Sequence, residues 1–269
     1  MELLNFFLPA ILLIICLVGI HCYLGIHVLK RGVIFIDLTL AQLAALGYVV
    51  GTILGYEIGS TESYFIALFH TFIGSLVFAY GKRASKFISS EALIGITYAF
   101  GSSVVILLLN NSPHGAEQFK DLLVGKILWV TAEDVIKIFF IYGFVGVVHY
   151  LFRTKFIPLS DYKEIKNGFF WDFLFYALFG VVITSSVGSA GILLVFSLLI
   201  GPAIIGRVYF SSIRSQLLFG WLYGAVISIA GIILSYQIDT PVGATVVAII
   251  ASLTIIQTLV LSFKNVCGR

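Results

Sequence analysis

The sequence predicts an all-α integral membrane protein of eight or nine transmembrane helices, and three observations predict it. Apolar residues make up 60% of the 269-residue chain and charged residues only 11%. A soluble domain runs near 45–50% apolar and about 25% charged. The mean hydropathy is +1.09. The apolar residues also gather in separated runs of about 20, the length that crosses a hydrocarbon layer as a helix. A soluble fold of this size could not enclose so much apolar surface. Disorder, nucleic-acid binding and an ordinary soluble enzyme are excluded on the same ground.

The spans are expected at residues 5–29, 33–56, 63–80, 92–110, 134–152, 169–185, 188–206, 217–237 and 243–263. Little chain is left for an extramembrane domain, so residues 1–269 are expected to form a single transmembrane domain. The first span has Glu2 before it, no basic leader and a long apolar run, which distinguishes it from a cleaved signal peptide. The boundary between the sixth and seventh spans is the least distinct. There the residues from Ser185 to Gly191 must turn the chain in four or five positions, and a broken helix would reduce the count to eight.

Basic residues set the expected orientation. Lys30 and Arg31 follow span one; Lys82, Arg83 and Lys86 follow span three; Arg153, Lys155, Lys163 and Lys166 follow span five. Arg207 and Arg214 follow span seven, and Lys264 and Arg269 follow span nine. Thirteen of the sixteen basic residues therefore mark one face, and only Lys120, Lys126 and Lys137 the other. The expectation is a multi-pass membrane protein with its N-terminus outside and its C-terminus on the cytoplasmic side. The outer loops would carry Glu57, Glu62, Glu117, Asp121, Glu133, Asp134 and Asp239.

Two small-residue stripes are expected to pack helices closely: Gly47, Gly51 and Gly55 in span two, and Gly220, Gly224 and Ser228 in span eight. The three cysteines, Cys16, Cys22 and Cys267, form no metal or redox motif. The chain has no phosphate-binding G-x-x-x-x-G-K-[ST] loop, no H-E-x-x-H and no G-x-S-x-G. Catalysis is not expected, and moving a solute across the membrane is.

Polar residues inside spans are costly and so informative. Asp37 follows Arg31 by six residues, about 9 Å along a helix. It reads either as a pathway carboxylate or as a structural one paired with a basic residue of the inner loop. Gln42 lies about 140° around the helix from Asp37, so the two share a site only if the helix unwinds. Thr39 and Gln42 share a face and either line a path or bond a neighbouring helix. His21, His70 and His149 read as hydrogen-bonded packing residues. Asp172, at the start of span six, is expected to reach back to water, and Glu91 to stabilise the start of span four.

Residues 112–134 are too polar to span and too apolar to float free. A short helix over 119–129 is expected, and Thr131 with Asp134 gives an N-cap opening span five. His114 and Glu117, three apart, offer an imidazole and a carboxylate to a borderline divalent metal, or simply a solvated loop. On the inner side, Gly201-Pro202 is expected to break or kink the helix. The stretch beyond it sets Arg207 and Arg214 beside Val208, Tyr209, Phe210 and Ile213. That pattern suits either docking of a soluble partner or anchoring on lipid.

Three of these stretches carry a family resemblance. RGVIFIDLTLAQLAALG (31–47) resembles the second-span motif of the ABC-transporter permeases for zinc, manganese and iron. DLLVGKILWVTAED (121–134) resembles their outer-segment motif, and GSAGILLVFSLLIGPA (188–203) their gating and coupling stretch. The resemblance covers the chain nearly end to end. It implies an ABC importer permease-like bundle that forms a dimer and pairs with separate ABC ATPase subunits, which bind the ATP. An extracytoplasmic metal-binding protein would deliver the cargo, and no nucleic acid is involved. Gly201, Pro202, Arg207, Tyr209, Phe210 and Arg214 would couple to the ATPase. Asp37, Thr39 and Gln42 would line the substrate path, with His114 and Glu117 at its entrance. Metal-specific members carry Asp-x-x-x-His early in this span. Here Gln42 stands at the histidine, Leu38 at the aspartate, and Asp37 is displaced by one. The chain is closer to a subgroup with Asp-Leu-x-Leu-Ala-Gln and a Pro-His-Gly-Ala-Glu loop. An amide is a poorer transition-metal ligand than imidazole, so a metal complex stands beside a bare divalent ion as expected cargo. The alternative is an ion-coupled secondary transporter with Asp37 as proton carrier. Inverted repeats would support that alternative, and none is evident.

Overall fold

The computed structural model describes residues 2–83, 87–110, 115–161 and 163–267. Among these residues the chain forms α1 (Glu2–Arg31), α2 (Ile36–Ile53), α3 (Thr61–Arg83), α4 (Ser90–Leu109), α5 (Gly115–Val124), α6 (Ala132–Leu151), α7 (Arg153–Ser160), α8 (Gly168–Ala190), α9 (Ile192–Tyr209), α10 (Ile213–Ile238) and α11 (Val242–Cys267). A single 3-10 turn, Ile127–Trp129, lies between α5 and α6. All but α5 and α7 are long and apolar enough to cross a membrane, which makes nine such helices among the described residues.

Nine is the upper of the two expected counts, and the doubtful boundary explains why. α8 does not end near Ser185 but runs on to Ala190, and the single residue Gly191, at φ +76°, turns the chain into α9. Three further boundaries differ from expectation. α1 ends at Arg31 and α2 begins only at Ile36, so Asp37 lies in the first turn of a new helix. The short helix in the long loop starts at Gly115 and stops at Val124, where Gly125 takes φ +78°. α9 passes unbroken through Gly201-Pro202 to Tyr209.

Proline costs a helix one backbone hydrogen bond, and tight packing surrounds Pro202. Gly220 and Gly224 of α10 present no side chain to it, and Gly201 makes room for Ile250 of α11. The stripe expected in α10 is therefore a packing surface: it receives α9 on Pro202 and α1 on Cys22 and Val18, and Ser228 is buried. In α2, Gly47 and Gly51 receive α3 at Ala67 and Ser63. Gly55 lies beyond the helix and packs on nothing.

The helices form two groups. In one, α2 packs on α3, α4 and α8, and α3 packs on α8. In the other, α9 is enclosed by α1, α10 and α11. α6 and α7 bridge the groups by lying against both α1 and α8. α2 and α8 are buried over most of their length, whereas α4 and α11 expose most of theirs. The exposed side chains are large and apolar, among them Phe100, Leu107, Ile255 and Leu259, as suits helices facing hydrocarbon.

Contacts between helix ends define two ends of the bundle. At a basic end the termini of α1 and α3 meet the end of α7 and the start of α8 through Lys30, Arg31 and Lys82, and the end of α9 meets α1 through Arg207. The opposite, acidic end gathers α5, the α8–α9 turn and the start of α11.

Candidate functional site

α2 places the three expected path residues on two faces. Thr39 is buried, and its hydroxyl donates to the backbone carbonyls of Phe35 and of Ile94 in α4. Gln42 is buried near Gly101 of α4, and its Oε1 has no hydrogen-bond partner. Thr39 and Gln42 thus share the face turned to α4. Asp37 is fully enclosed, and neither carboxylate oxygen has a partner. At 100° per residue it shares its face with Ala41, Ala44 and Tyr48. Tyr48 donates its hydroxyl to the Thr184 carbonyl of α8 at 2.9 Å. Asp37 therefore belongs to the α8 side of α2. α2 is not unwound, so Asp37 and Gln42 do not meet. The first-turn position favours a carboxylate through the helix dipole.

The basic residues that could have paired with Asp37 are engaged elsewhere. Arg31 donates from Nη1 to Asp172 Oδ1 at 2.8 Å and from Nε to Ser160 Oγ at 3.1 Å. Its guanidinium lies 3.9 Å from the centre of the Phe175 ring, a cation–π stack. Lys82 donates to the other oxygen of Asp172 at 2.8 Å, and Lys30 to Asp161 at 2.8 Å. Asp172 does not reach back to water as expected; it is buried, and one carboxylate ties α8 to α1 and α3. His27 Nδ1 lies 2.7 Å from the same Ser160 hydroxyl. Nearby, the Tyr23 hydroxyl meets His149 Nδ1 at 3.2 Å.

His21 and His70 are also hydrogen-bonded. His21 meets Leu17 and Ser186, and the hydroxyl of Ser186 also meets that of Tyr142. His70 meets the carbonyl of Ile66.

At the same end, α9 and α10 join in an elbow. Gly201 and Pro202 are buried in the packing described above. Arg207 is exposed and donates to the Leu29 carbonyl at 3.2 Å. Val208, Tyr209 and Phe210 are exposed, and Tyr209 and Phe210 both pack on Phe219. Arg214 is exposed in the first turn of α10. Beside the elbow opens a cavity of about 490 Å³, lined by Lys30, Asp161, Arg207, Phe210 and Gln216 among others. The elbow is a solvent-facing apolar knob flanked by two cations, and not a separate amphipathic helix.

At the acidic end, Glu117 is exposed in the first turn of α5. His114, its expected companion, lies outside the described residues. Thr131 and Asp134 form the expected cap and close it into a capping box: Thr131 Oγ1 accepts from the Asp134 amide, and Asp134 accepts from the Thr131 amide. Among the described residues, no group of three or more His, Cys, Asp or Glu side chains is placed to hold a metal ion.

Sequence reasoning missed Asp172 as the hub of a buried ion cluster, and it missed His27. A signal for the first was present. A lone carboxylate opening an apolar run, with Arg31 and Lys82 ending two others, is a charge match across three helices.

A model of the ABC 3 transport family matches residues 3–261. The chain is 22% identical over 252 residues to the probable iron transport system membrane protein of Haemophilus influenzae, covering 91% of this chain and 86% of that one. It is 25% identical over 237 residues to the manganese import system permease protein ScaB of Streptococcus gordonii, covering 83% of this chain and 80% of that one. Among solved structures it is similar to PsaBC from Streptococcus pneumoniae, determined in complex with Fab. There the TM-score is 0.77 at 22% identity, over 93% of this chain and 90% of the other. At that identity the likeness shows the fold.

Proposed function

Because this chain belongs to the ABC 3 transport family, we propose that it is the membrane-spanning permease subunit of an ATP-driven importer for a divalent metal ion or metal complex. The reading rests on the extent of the likeness: the family match spans residues 3–261, and relatives aligned over most of the chain are named for iron and manganese transport. Separate ATPase subunits bind and hydrolyse ATP, and this chain holds no cofactor of its own. Two permease chains pair, and an extracytoplasmic binding protein delivers the cargo. The basic end faces the cytoplasm, because basic residues are retained there.

The elbow supports the coupling role. Three exposed apolar residues between Arg207 and Arg214 are costly in water and suit a protein groove. α2 supports the path role. A buried carboxylate with no partner is unstable as it stands, and a passing cation supplies what Asp37 lacks. Gln42, with its unpaired carbonyl oxygen, and Thr39 lie on the neighbouring face. His114 and Glu117 raise the local cation concentration at the entrance.

The test is uptake of Mn²⁺, Fe²⁺ and Zn²⁺ by cells with and without the chain, normalised to assembled permease–ATPase complex. Uptake of at least one of these ions is expected to require both subunits. Asp37→Asn is expected to cut it at least about tenfold per complex, the effect of losing roughly 1.4 kcal/mol of contact. Undiminished uptake per complex would remove Asp37 from the path. Metal uptake independent of any ATPase would refute the importer reading.

A further inference from the structure

Four helices meet at the basic end around a space that neither the path nor the elbow uses. The cavity of about 490 Å³ lies where the ends of α1, α7 and α9 converge with the start of α10. Its volume falls in the range of about 300–1,000 Å³ typical of small-molecule sites, far more than a lone ion needs. Its wall has two parts. The floor is apolar and includes Ile26 of α1 and Ala203 of α9, both buried. Ile26 precedes the end of α1 by five residues and Ala203 precedes the end of α9 by six. The floor therefore lies about 7–9 Å inside the apolar spans. The mouth is polar and carries Lys30, Asp161, Arg207 and Ser211.

The charges at the mouth do not balance. Lys30 is paired with Asp161 at 2.8 Å. Arg207 donates to the Leu29 carbonyl at 3.2 Å and, among the described residues, meets no carboxylate. A carbonyl at a helix C-terminus carries only part of a negative charge, so one cation is left over. A guanidinium in that state suits a phosphate, whose oxygens match its fork of donors. A soluble phosphate would satisfy Arg207 but leave the apolar floor without a partner. An amphipathic anion satisfies both parts, because its phosphate meets the cations while its apolar end covers Ile26 and Ala203. Beyond the cavity α10 exposes Leu218, Trp221 and Leu222, and the Trp221 indole donates to the Gly19 carbonyl of α1 at 2.9 Å. Such a surface suits acyl chains, and an exposed tryptophan suits the level of the headgroups. Basic pockets between spanning helices are where anionic headgroups bind.

We propose that this cavity is a binding site for an anionic phospholipid from the leaflet at the basic end. Arg207 and Lys30 hold the phosphate, the polar mouth faces the rest of the headgroup, and the floor takes the glycerol and the first carbons of the chains. The bound lipid joins α1, α9 and α10 where their packing leaves a gap. The site stands on the spanning fold and the cavity alone, so it is independent of the cargo and of the ATPase contact.

The experiment uses the full chain, purified in mild detergent and stripped of native lipid. It is titrated with dioctanoyl phosphatidylglycerol or dioctanoyl phosphatidylcholine, and bound lipid is counted by native mass spectrometry. One phosphatidylglycerol per chain is expected, held at least about tenfold more tightly than phosphatidylcholine, whose choline cation would lie beside Arg207. Arg207→Gln is expected to weaken phosphatidylglycerol about fivefold, the effect of one basic residue on an anionic lipid. Ser211→Asp sets a negative charge at the mouth and should weaken it at least as much. Its side chain makes no hydrogen bond among the described residues, so this variant carries the test if Arg207→Gln fails to fold. Arg214→Gln, on the elbow but not lining the cavity, should bind like the parent. Equal affinity for the two lipids overturns the site, and so does parent-like binding by every folded cavity variant. An equal loss in Arg214→Gln reduces the effect to general surface charge and also overturns it. Displacement of the lipid by millimolar inorganic phosphate or glycerol 3-phosphate would assign the cavity to a soluble anion and refute the lipid.

Discussion

Replacing Asp172 by asparagine keeps the shape of the side chain and removes the one negative charge that Arg31 and Lys82 share. The two pairs differ in environment. Arg31 and Asp172 are 4% and 5% exposed, whereas Lys82 is 36% exposed. Breaking a buried pair by removing one partner costs about 3–5 kcal/mol, because the remaining charge stays enclosed. An exposed pair is worth about 1 kcal/mol or less. Asp172→Asn keeps some hydrogen bonding to Arg31, so the lower figure applies. In a chain of this size a loss of about 3 kcal/mol lowers Tm by roughly 6–12 °C. Lys82→Met should lower it by less than about 4 °C. The double variant Arg31→Met, Asp172→Leu removes both buried charges, and should recover much of the loss suffered by Asp172→Asn alone. The assay is thermal unfolding of the purified chain in detergent, followed by retention on gel filtration. If Asp172→Asn melts within about 1 °C of the parent, a difference worth less than about half a kcal/mol, the buried cluster is not holding α1, α3 and α8 together.

Other expectations follow from the same contacts. Cysteines placed at Glu57 and Ser60 should react with an impermeant maleimide from outside intact cells, and those at Lys163 and Ser212 only after permeabilisation; the reverse pattern would invert the assigned orientation. Tyr209→Asp or Phe210→Asp should leave the chain in the membrane yet reduce ATPase co-purification or stimulation, and full retention of both would exclude the elbow as the contact. Gly47→Leu should reduce the folded amount in the membrane strongly, because a side chain there meets the Ala67 backbone. Gly55→Ala meets nothing but must adopt φ +90°, so its cost should be limited to backbone strain of about 1 kcal/mol.

The parts of this fold that were legible are those written in local pattern. Apolar runs located the nine helices among the described residues that are long and apolar enough to cross a membrane, the Thr131–Asp134 spacing located a capping box, and small residues at intervals of four located helix contacts. Each depends on residues within a turn or two of one another. The break between α1 and α2 was located, but the start of α2 was placed at residue 33, three residues early, because no strong turn residue other than Gly32 marks it, and the later start puts Asp37 in the first turn. The break that was one of the two expectations at Gly201-Pro202 does not occur, for a different reason. The local rule was right about the cost of proline, but packing by Gly220, Gly224 and Ile250 overrides it. Asp172 was misjudged because its exposure depends on where Arg31 and Lys82 end, and those residues are about 140 and 90 positions away. Gly125 and Gly191 sat inside recognised motifs and Gly243 at the expected start of span nine, but that their backbones meet is visible only in the folded chain.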